Sequence, residues 1–136
     1  MIGTNPEQDQ FITEHRWAVI TSLRKNGQPV SSVVAYARDG DTLVVSTPGN
    51  TFKRRSLARD PRATLCIISN SEPFNFVAVE GRVTVESADI EAGTRLVFAN
   101  IAATGYPEPD DLPAWLEAQQ RVLLRLHPER VSGVIR

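Results

Sequence analysis

The chain has a single cysteine, Cys66, so it has neither an intrachain disulfide nor a zinc site built from several cysteines. Its two histidines, His15 and His127, are far apart in sequence and lack a carboxylate–histidine spacing, so no metal site is predicted. Cys66 alternates with apolar residues and has no basic neighbour, which favours a buried apolar role over that of a nucleophile.

Long apolar runs and strong net charge are also missing. No run approaches the roughly 20 residues of a membrane span, and residues 1–16 are too polar for a signal peptide. The formal net charge is −1, and aromatic residues make up 7% without a basic stripe between them. We therefore expect a cytoplasmic protein with no nucleic-acid and no membrane partner.

The eight glycines form neither a dinucleotide-binding G-x-G-x-x-G nor a Walker loop, and no serine sits in a G-x-S-x-G elbow. These absences argue against Rossmann, P-loop and serine-hydrolase chemistry. Few remaining side chains are suited to catalysis by themselves. An enzyme with this sequence would therefore depend on a cofactor.

The pattern that is present is mostly β. Asn5, Pro6 and Gln8 predict a capped helix that runs to about His15. Short β-branched runs at 17–23 and 28–37 flank the turn Asn26-Gly27, which is a strong hairpin signal. Further strands are predicted at 42–47, 62–69, 74–86, 121–126 and 130–135, and helices at 51–60, at 87–103 before a stop at Gly105, and around Trp115.

Gly81 interrupts the predicted strand 74–86 and indicates a bulge or a close backbone approach. Six or seven strands joined mostly by hairpins, with short helices, predict a mainly β (α+β) antiparallel barrel in a single domain spanning residues 1–136.

One segment, residues 46–57, carries a candidate binding site. It joins a strand end to a helix start, where unpaired N–H groups and the positive end of the helix dipole suit a phosphate. Hydroxyls, a glycine that permits close approach and a basic first turn accompany it. A solvated basic helix after a proline turn would look the same, so the segment alone is a weak signal.

The order of elements resembles the pyridoxamine 5′-phosphate oxidase-like split β-barrel family, FMN-binding split-barrel type, and within it the flavin/deazaflavin-dependent oxidoreductases. The most specific part is K-x-R-x-L-x-x-D-P-R-A, which begins at Lys53. The resemblance covers nearly the whole chain, through residues 18–23, 27–30, 33–36, 53–63, 79–83, 121–124, Pro128 and 130–133.

The resemblance implies three groups of cofactor-binding residues. The loop and helix start hold the cofactor phosphate, the second strand lies beside the ring system, and Phe74 reaches in from a second subunit. The residues concerned are Ser46, Thr47, Thr51, Phe52 and Lys53 for the phosphate, and Val30, Ser32, Val33 and Val34 for the ring. Many relatives have a second basic residue where this chain has Thr51.

The resemblance further implies a homodimer, because a small barrel is filled by side chains and a cofactor needs a second wall. We expect hydride transfer between coenzyme F420, with FMN as the alternative, and a small unsaturated substrate. A flavin- or haem-binding protein without turnover and a ligand-free structural dimer stay open. No acid or base is assigned; Tyr36 is a candidate proton donor, although a barrel tyrosine with a satisfied hydroxyl is more common.

Overall fold

The chain folds around one antiparallel sheet of seven strands, seen in a computed structural model that describes residues 1–136. The strands lie in the order β2-β1-β5-β6-β7-β4-β3, so β2 and β3 are its two edges. Their bounds are β1 Trp17–Leu23, β2 Pro29–Ala35, β3 Ala37–Asp39, β4 Thr42–Thr47, β5 Arg62–Ile68, β6 Phe76–Glu86 and β7 Val122–Val134.

Four short helices surround the sheet: α1 Pro6–Glu14, α2 Phe52–Arg59, α3 Glu91–Ile101 and α4 Leu112–Ala118, with a 3₁₀ turn at Ala102–Thr104. Asn5 caps α1 as predicted, since its Oδ1 accepts from the N–H groups of Glu7 and Gln8. The Gln8 side chain makes no hydrogen bond to the main-chain N–H of Asn5. No helix has the length and apolar character that crossing a membrane requires.

The sheet curls into a half-barrel whose concave side holds the main core. Alternate residues of each strand point inward, as the period of two requires, and Ile20, Leu65 and Val79 are among those that are almost fully buried. A second, smaller core lies on the other side of β4, where Val44 packs with Val97 of α3 and Leu116 of α4. The predicted antiparallel split barrel with peripheral helices is confirmed.

Residues 28–37 form two strands rather than the one predicted. The chain leaves β2 at Ala35 and enters β3 at Ala37, and these strands are opposite edges of the curled sheet. Tyr36, between them, is fully buried and donates its hydroxyl to the Ile12 carbonyl at 2.5 Å. The half-barrel closes at this bend. The sequence of residues 28–37 has a continuous β pattern and gives no sign of the bend.

The last two predicted strands are one continuous strand, β7. The sequence pattern is interrupted at His127-Pro128, but Pro128 pairs with Gly81 where the register of β6 and β7 shifts. A bulge already disrupts the ladder there, so the missing proline N–H costs little. The same place confirms the prediction for Gly81, because a Cβ on that residue would collide with the His127 carbonyl oxygen.

Helix α3 begins at Glu91, four residues later than the predicted start at Ser87. Asp89 has a positive φ of 53°, and Ile90 is the N-cap residue with ψ at 0°, so the backbone turns sharply just before the helix. A left-handed residue cannot continue an α-helix. Its end near Gly105, with φ at 89°, agrees with the predicted stop.

Candidate functional site

The start of α2 is held in place by two threonines. Thr51 is the N-cap: its Oγ1 accepts from the Arg54 N–H at 3.4 Å and lies 2.9 Å from Oγ1 of Thr47. Thr47 is 1% exposed at the end of β4, so the helix start is fixed to the barrel. Capping by Thr51 leaves the N–H groups of the first turn, at Phe52 and Lys53, without acceptors within the helix.

A cavity of about 120 Å³ lies beside this helix start. This volume is far below the roughly 300–1,000 Å³ of sites that enclose a whole drug-sized ligand, so it suits a phosphate group and not a tricyclic ring. Four of the residues predicted to bind the cofactor line it together, and two unpredicted residues complete the wall. The lining residues are Val30, Ser32, Phe52 and Lys53, with Ile20 and Ser22.

Lys53 is a half-buried cation without a counter-charge. None of the chain's ion pairs includes it. Burial lowers the pKa of Lys53 below its ordinary value of 10.5, and the positive charge of Arg121 adds to this effect. A half-buried ammonium that nothing in the protein neutralises, beside free N–H groups, is suited to binding an anion.

Three of the residues predicted to bind the phosphate, Ser46, Thr47 and Thr51, do not line the cavity. The hydroxyls of Thr47 and Thr51 bond to each other, and Thr51 also serves the helix cap, so both act on the helix start. Ser46 faces the opposite side of β4, where its Oγ accepts from Nε and NH2 of Arg121 at 3.3 and 3.1 Å. Its predicted place beside the phosphate is therefore not seen within this chain.

The remaining predicted residues are Val33 and Val34, which point to opposite faces of the sheet, and Phe74, which lies in a loop. Val34 is 9% exposed and belongs to the core, whereas Val33 points outward and is 67% exposed. Phe74 is 58% exposed in the loop from β5 to β6. That loop adjoins the Trp17 end of β1, and the cavity is at the Ser22 end, so Phe74 does not reach the cavity of its own chain.

The sequence interpretation missed Ser22, Arg24 and Arg121. Ser22 lines the cavity, Arg24 lies over the Phe52 ring at 5.1 Å, and Arg121 lies over the Trp115 ring at 4.3 Å. The alternation along β1 places Ser22 on the inward face with Ala18 and Ile20. A hydroxyl on an otherwise apolar inward face is a signal that could have identified Ser22; no comparable local signal marks the two arginines.

A larger open groove of about 890 Å³ lies near Gly49, on the side of α2 that carries Arg54. Arg54 and Arg121 line it, but so do three exposed carboxylates, Asp89, Glu91 and Glu117. Although the largest pocket is the usual first choice for a ligand site, this lining is less suited to an anion. We therefore place the site at the smaller cavity with Lys53.

Other candidate groups are excluded from the site by their surroundings. The Tyr36 hydroxyl is bonded to Ile12, and burial raises its pKa, so it does not act as an accessible proton donor. Cys66 is half-buried on the outward side of β5, and burial raises the pKa of its thiol. His15 stacks on Phe11 at 3.8 Å, and His127 contacts Thr84; neither lines the cavity.

Solved structures of proteins with different described functions have the same fold as this chain. A protein described as an F420 reductase is 17% identical, with a TM-score of 0.76 over 95% of this chain and 98% of its own. A FAD-binding protein from Mesorhizobium loti is 20% identical, with a TM-score of 0.72 over 98% of this chain and 95% of its own. A heme-binding protein from Mycobacterium smegmatis is 22% identical, with a TM-score of 0.71 over 98% of this chain but 55% of its own.

At these identities the likeness establishes the fold alone. A search of curated protein sequences finds no significant match. The family model described as pyridoxamine 5′-phosphate oxidase, by contrast, matches residues 4–135, which includes every strand, every helix and the whole cavity lining. The chain belongs to the pyridoxamine 5′-phosphate oxidase family, whose split barrel it shares.

Proposed function

We propose that the chain is an oxidoreductase that binds coenzyme F420, with FMN as the alternative, and transfers a hydride to or from a small unsaturated substrate. The observation that carries the proposal is the half-buried, unpaired ammonium of Lys53 in a phosphate-sized cavity at the start of α2. Both cofactors carry a phosphate that would fill this cavity. Family membership supports a flavin-type cofactor.

The ring system has to lie outside the cavity, because the half-barrel interior is filled by the core. Strand β2 borders the cavity through Val30 and Ser32 and is an edge strand. Its outer main-chain N–H and C=O groups have no strand partner. These groups would hydrogen-bond the polar edge of the ring and position it beside the phosphate site.

A second copy of the chain would supply the other wall. The register of the sheet aligns Val33, Val19, Cys66 and Ala78 in one row across the outward side of β2, β1, β5 and β6. We call this row the outer sheet face. It is apolar and half-buried to exposed, and exposed apolar surfaces of this kind mark interfaces. By two-fold symmetry, Phe74 of each chain would reach the site of the other.

When bound, the flavin or deazaflavin ring would supply the hydride chemistry. The chain's own contribution is to bind and orient: Lys53 fixes the phosphate, the β2 edge fixes the ring, and the apolar outer face excludes water from one side. None of the cavity residues is a titratable group suited to proton transfer apart from Lys53.

The likeness to the F420 reductase supports the deazaflavin, and the likeness to the FAD-binding protein supports a flavin. The heme-binding likeness is weaker support for haem, because neither histidine lines the cavity. Binding without turnover is the main alternative. Reduction of a test quinone or enone by the loaded protein would distinguish it from the proposed oxidoreductase.

The test of the phosphate site uses the two lysines of the chain. Purified protein is titrated separately with F420 and FMN, and cofactor fluorescence is followed. Lys53→Ala is expected to weaken binding of the preferred cofactor about tenfold or more, since a hydrogen bond to a charged group contributes roughly 1.5–3 kcal/mol. Lys25→Ala, in the exposed hairpin turn, is the matched control and should bind as wild type does.

A Lys53→Ala variant that keeps wild-type affinity for both cofactors would overturn the phosphate site. A clear preference for FMN would reverse the order of the two cofactors and leave the site in place.

A further inference from the structure

Two buried hydroxyls connect the cavity wall to α2. Ser22 of β1 is 3% exposed and lines the cavity with Lys53, and Ser56 of α2 is 0% exposed directly behind it. Their Oγ atoms are 2.9 Å apart. Ser56 follows Lys53 by three residues, so the pair links the strand to the helix turn that carries the candidate anion-binding lysine.

In this pair Ser56 is the donor and Ser22 is the acceptor. The Ser56 Oγ also lies 3.2 Å from the Lys53 carbonyl oxygen. Because Ser22 accepts from Ser56, the bond between them does not use the Ser22 proton. That proton has no acceptor in the protein and is free for a group in the cavity.

A buried hydroxyl donor without an acceptor is unfavourable, and an anion in the cavity would supply that acceptor. We propose that Ser22 donates a hydrogen bond to a phosphate group bound in this cavity, and that Ser56 is a positioning residue that donates to Ser22. The proposal rests on the proposed function, in which the cofactor phosphate occupies the cavity.

The neighbouring residues provide a matched control. Thr21 and Ser31 form a second hydroxyl pair between β1 and β2, with their oxygens 2.8 Å apart. Side chains alternate along a strand, so this pair lies on the outward face while Ser22 faces the cavity. If the Ser22–Ser56 pair only held two elements together, its loss would affect phosphate binding no more than loss of the Thr21–Ser31 pair does.

The experiment compares ligands with and without phosphate. Dissociation constants for FMN and riboflavin are measured for wild type, Ser22→Ala, Ser22→Cys, Ser56→Ala and Thr21→Ala, with thermal unfolding as a check of folding. Ser22→Ala and Ser22→Cys are expected to bind FMN about tenfold more weakly and riboflavin unchanged. The cysteine keeps most of the volume but is a weak donor. Ser56→Ala should lose a smaller factor for FMN alone, and Thr21→Ala should match wild type.

Inorganic phosphate separates this inference from the proposed function. Its stabilisation of each variant against thermal unfolding is measured without any flavin. Stabilisation of wild type that both Ser22 variants lose supports the inference even if no flavin binds, which would overturn only the proposed function. Equal losses for FMN and riboflavin, unchanged FMN binding in the Ser22 variants, or no phosphate stabilisation of wild type would overturn the inference.

Discussion

At the scale of single residues, Lys53 has the most informative environment in the chain. Its half-buried position, with no carboxylate paired to it and with Arg121 nearby, lowers its pKa. In an ordinary solvated helix the same lysine would be exposed and its charge would be screened. The difference arises because β1 and β2 pack beside the helix start and enclose the ammonium.

If Lys53 binds the cofactor phosphate as proposed, we predict that cofactor affinity depends on pH in a defined way. The ammonium must be protonated to hold a phosphate, and its pKa is below the 10.5 of an ordinary lysine. Affinity for FMN or F420 should fall as the pH rises, starting at a lower pH than an exposed lysine would titrate. The check is a series of dissociation constants between neutral and alkaline pH for wild type and Lys53→Arg.

The arginine variant serves as the reference because a guanidinium stays charged throughout this range. Its profile should be flatter than that of wild type once changes in the cofactor itself are subtracted. Parallel profiles for the two proteins would contradict the assigned role of Lys53.

At the scale of elements, the pairing of β6 with β7 decides the shape of the barrel. The register shifts between Glu80 and Gly81, opposite Pro128, and the two long strands bend there without separating. A bulge increases local twist and bends the strand. Glycine is required because the His127 carbonyl oxygen occupies the space of a side chain.

Gly81→Ala should consequently destabilise the protein by about 1–3 kcal/mol, the usual cost of forcing atoms into a packed site. Chemical denaturation measures the change in the free energy of unfolding. Arg82→Ala, at the next position and exposed, is the control and should change it by less than about 0.5 kcal/mol. An alanine at position 81 that leaves stability unchanged would show that β7 can move away at no cost.

At the scale of the whole molecule, one chain provides a phosphate-sized cavity but a shallow surface for a ring. The cavity of about 120 Å³ is well below the roughly 300–1,000 Å³ of ordinary cofactor sites. The apolar outer sheet face lies on the other side of the strands that carry the cavity. Pairing of two copies through this face would cover it and would place a second wall beside the edge of β2, where the ring is proposed to lie.

Val33→Glu tests the proposed dimer. Val33 is 67% exposed in the single chain, so a charge there should leave the fold of one chain intact. In a dimer that buries this face the charge would lack a partner. We expect wild type to sediment as a dimer and the variant as a monomer with weakened cofactor affinity. Leu96→Glu, on α3, is the control, since it makes the same change on an exposed apolar residue away from the face.

A wild-type protein that sediments as a monomer at micromolar concentration would contradict the proposal that a second copy of the chain forms the other wall of the site. A Val33→Glu variant that stays dimeric would place the interface elsewhere on the molecule.

The sequence by itself determined the local elements and pointed to Lys53 as a candidate anion-binding residue. Alternation, the Asn26-Gly27 turn and the proline and glycine stops depend on interactions between near neighbours, and the K-x-R-x-L-x-x-D-P-R-A segment identified Lys53. Only the tertiary structure decided the bend at Tyr36 and the continuity of β7. It also placed Ser22 and Lys53 around one cavity, because their proximity depends on how the curled sheet packs against α2 over some thirty residues of chain, a distance that local patterns do not encode.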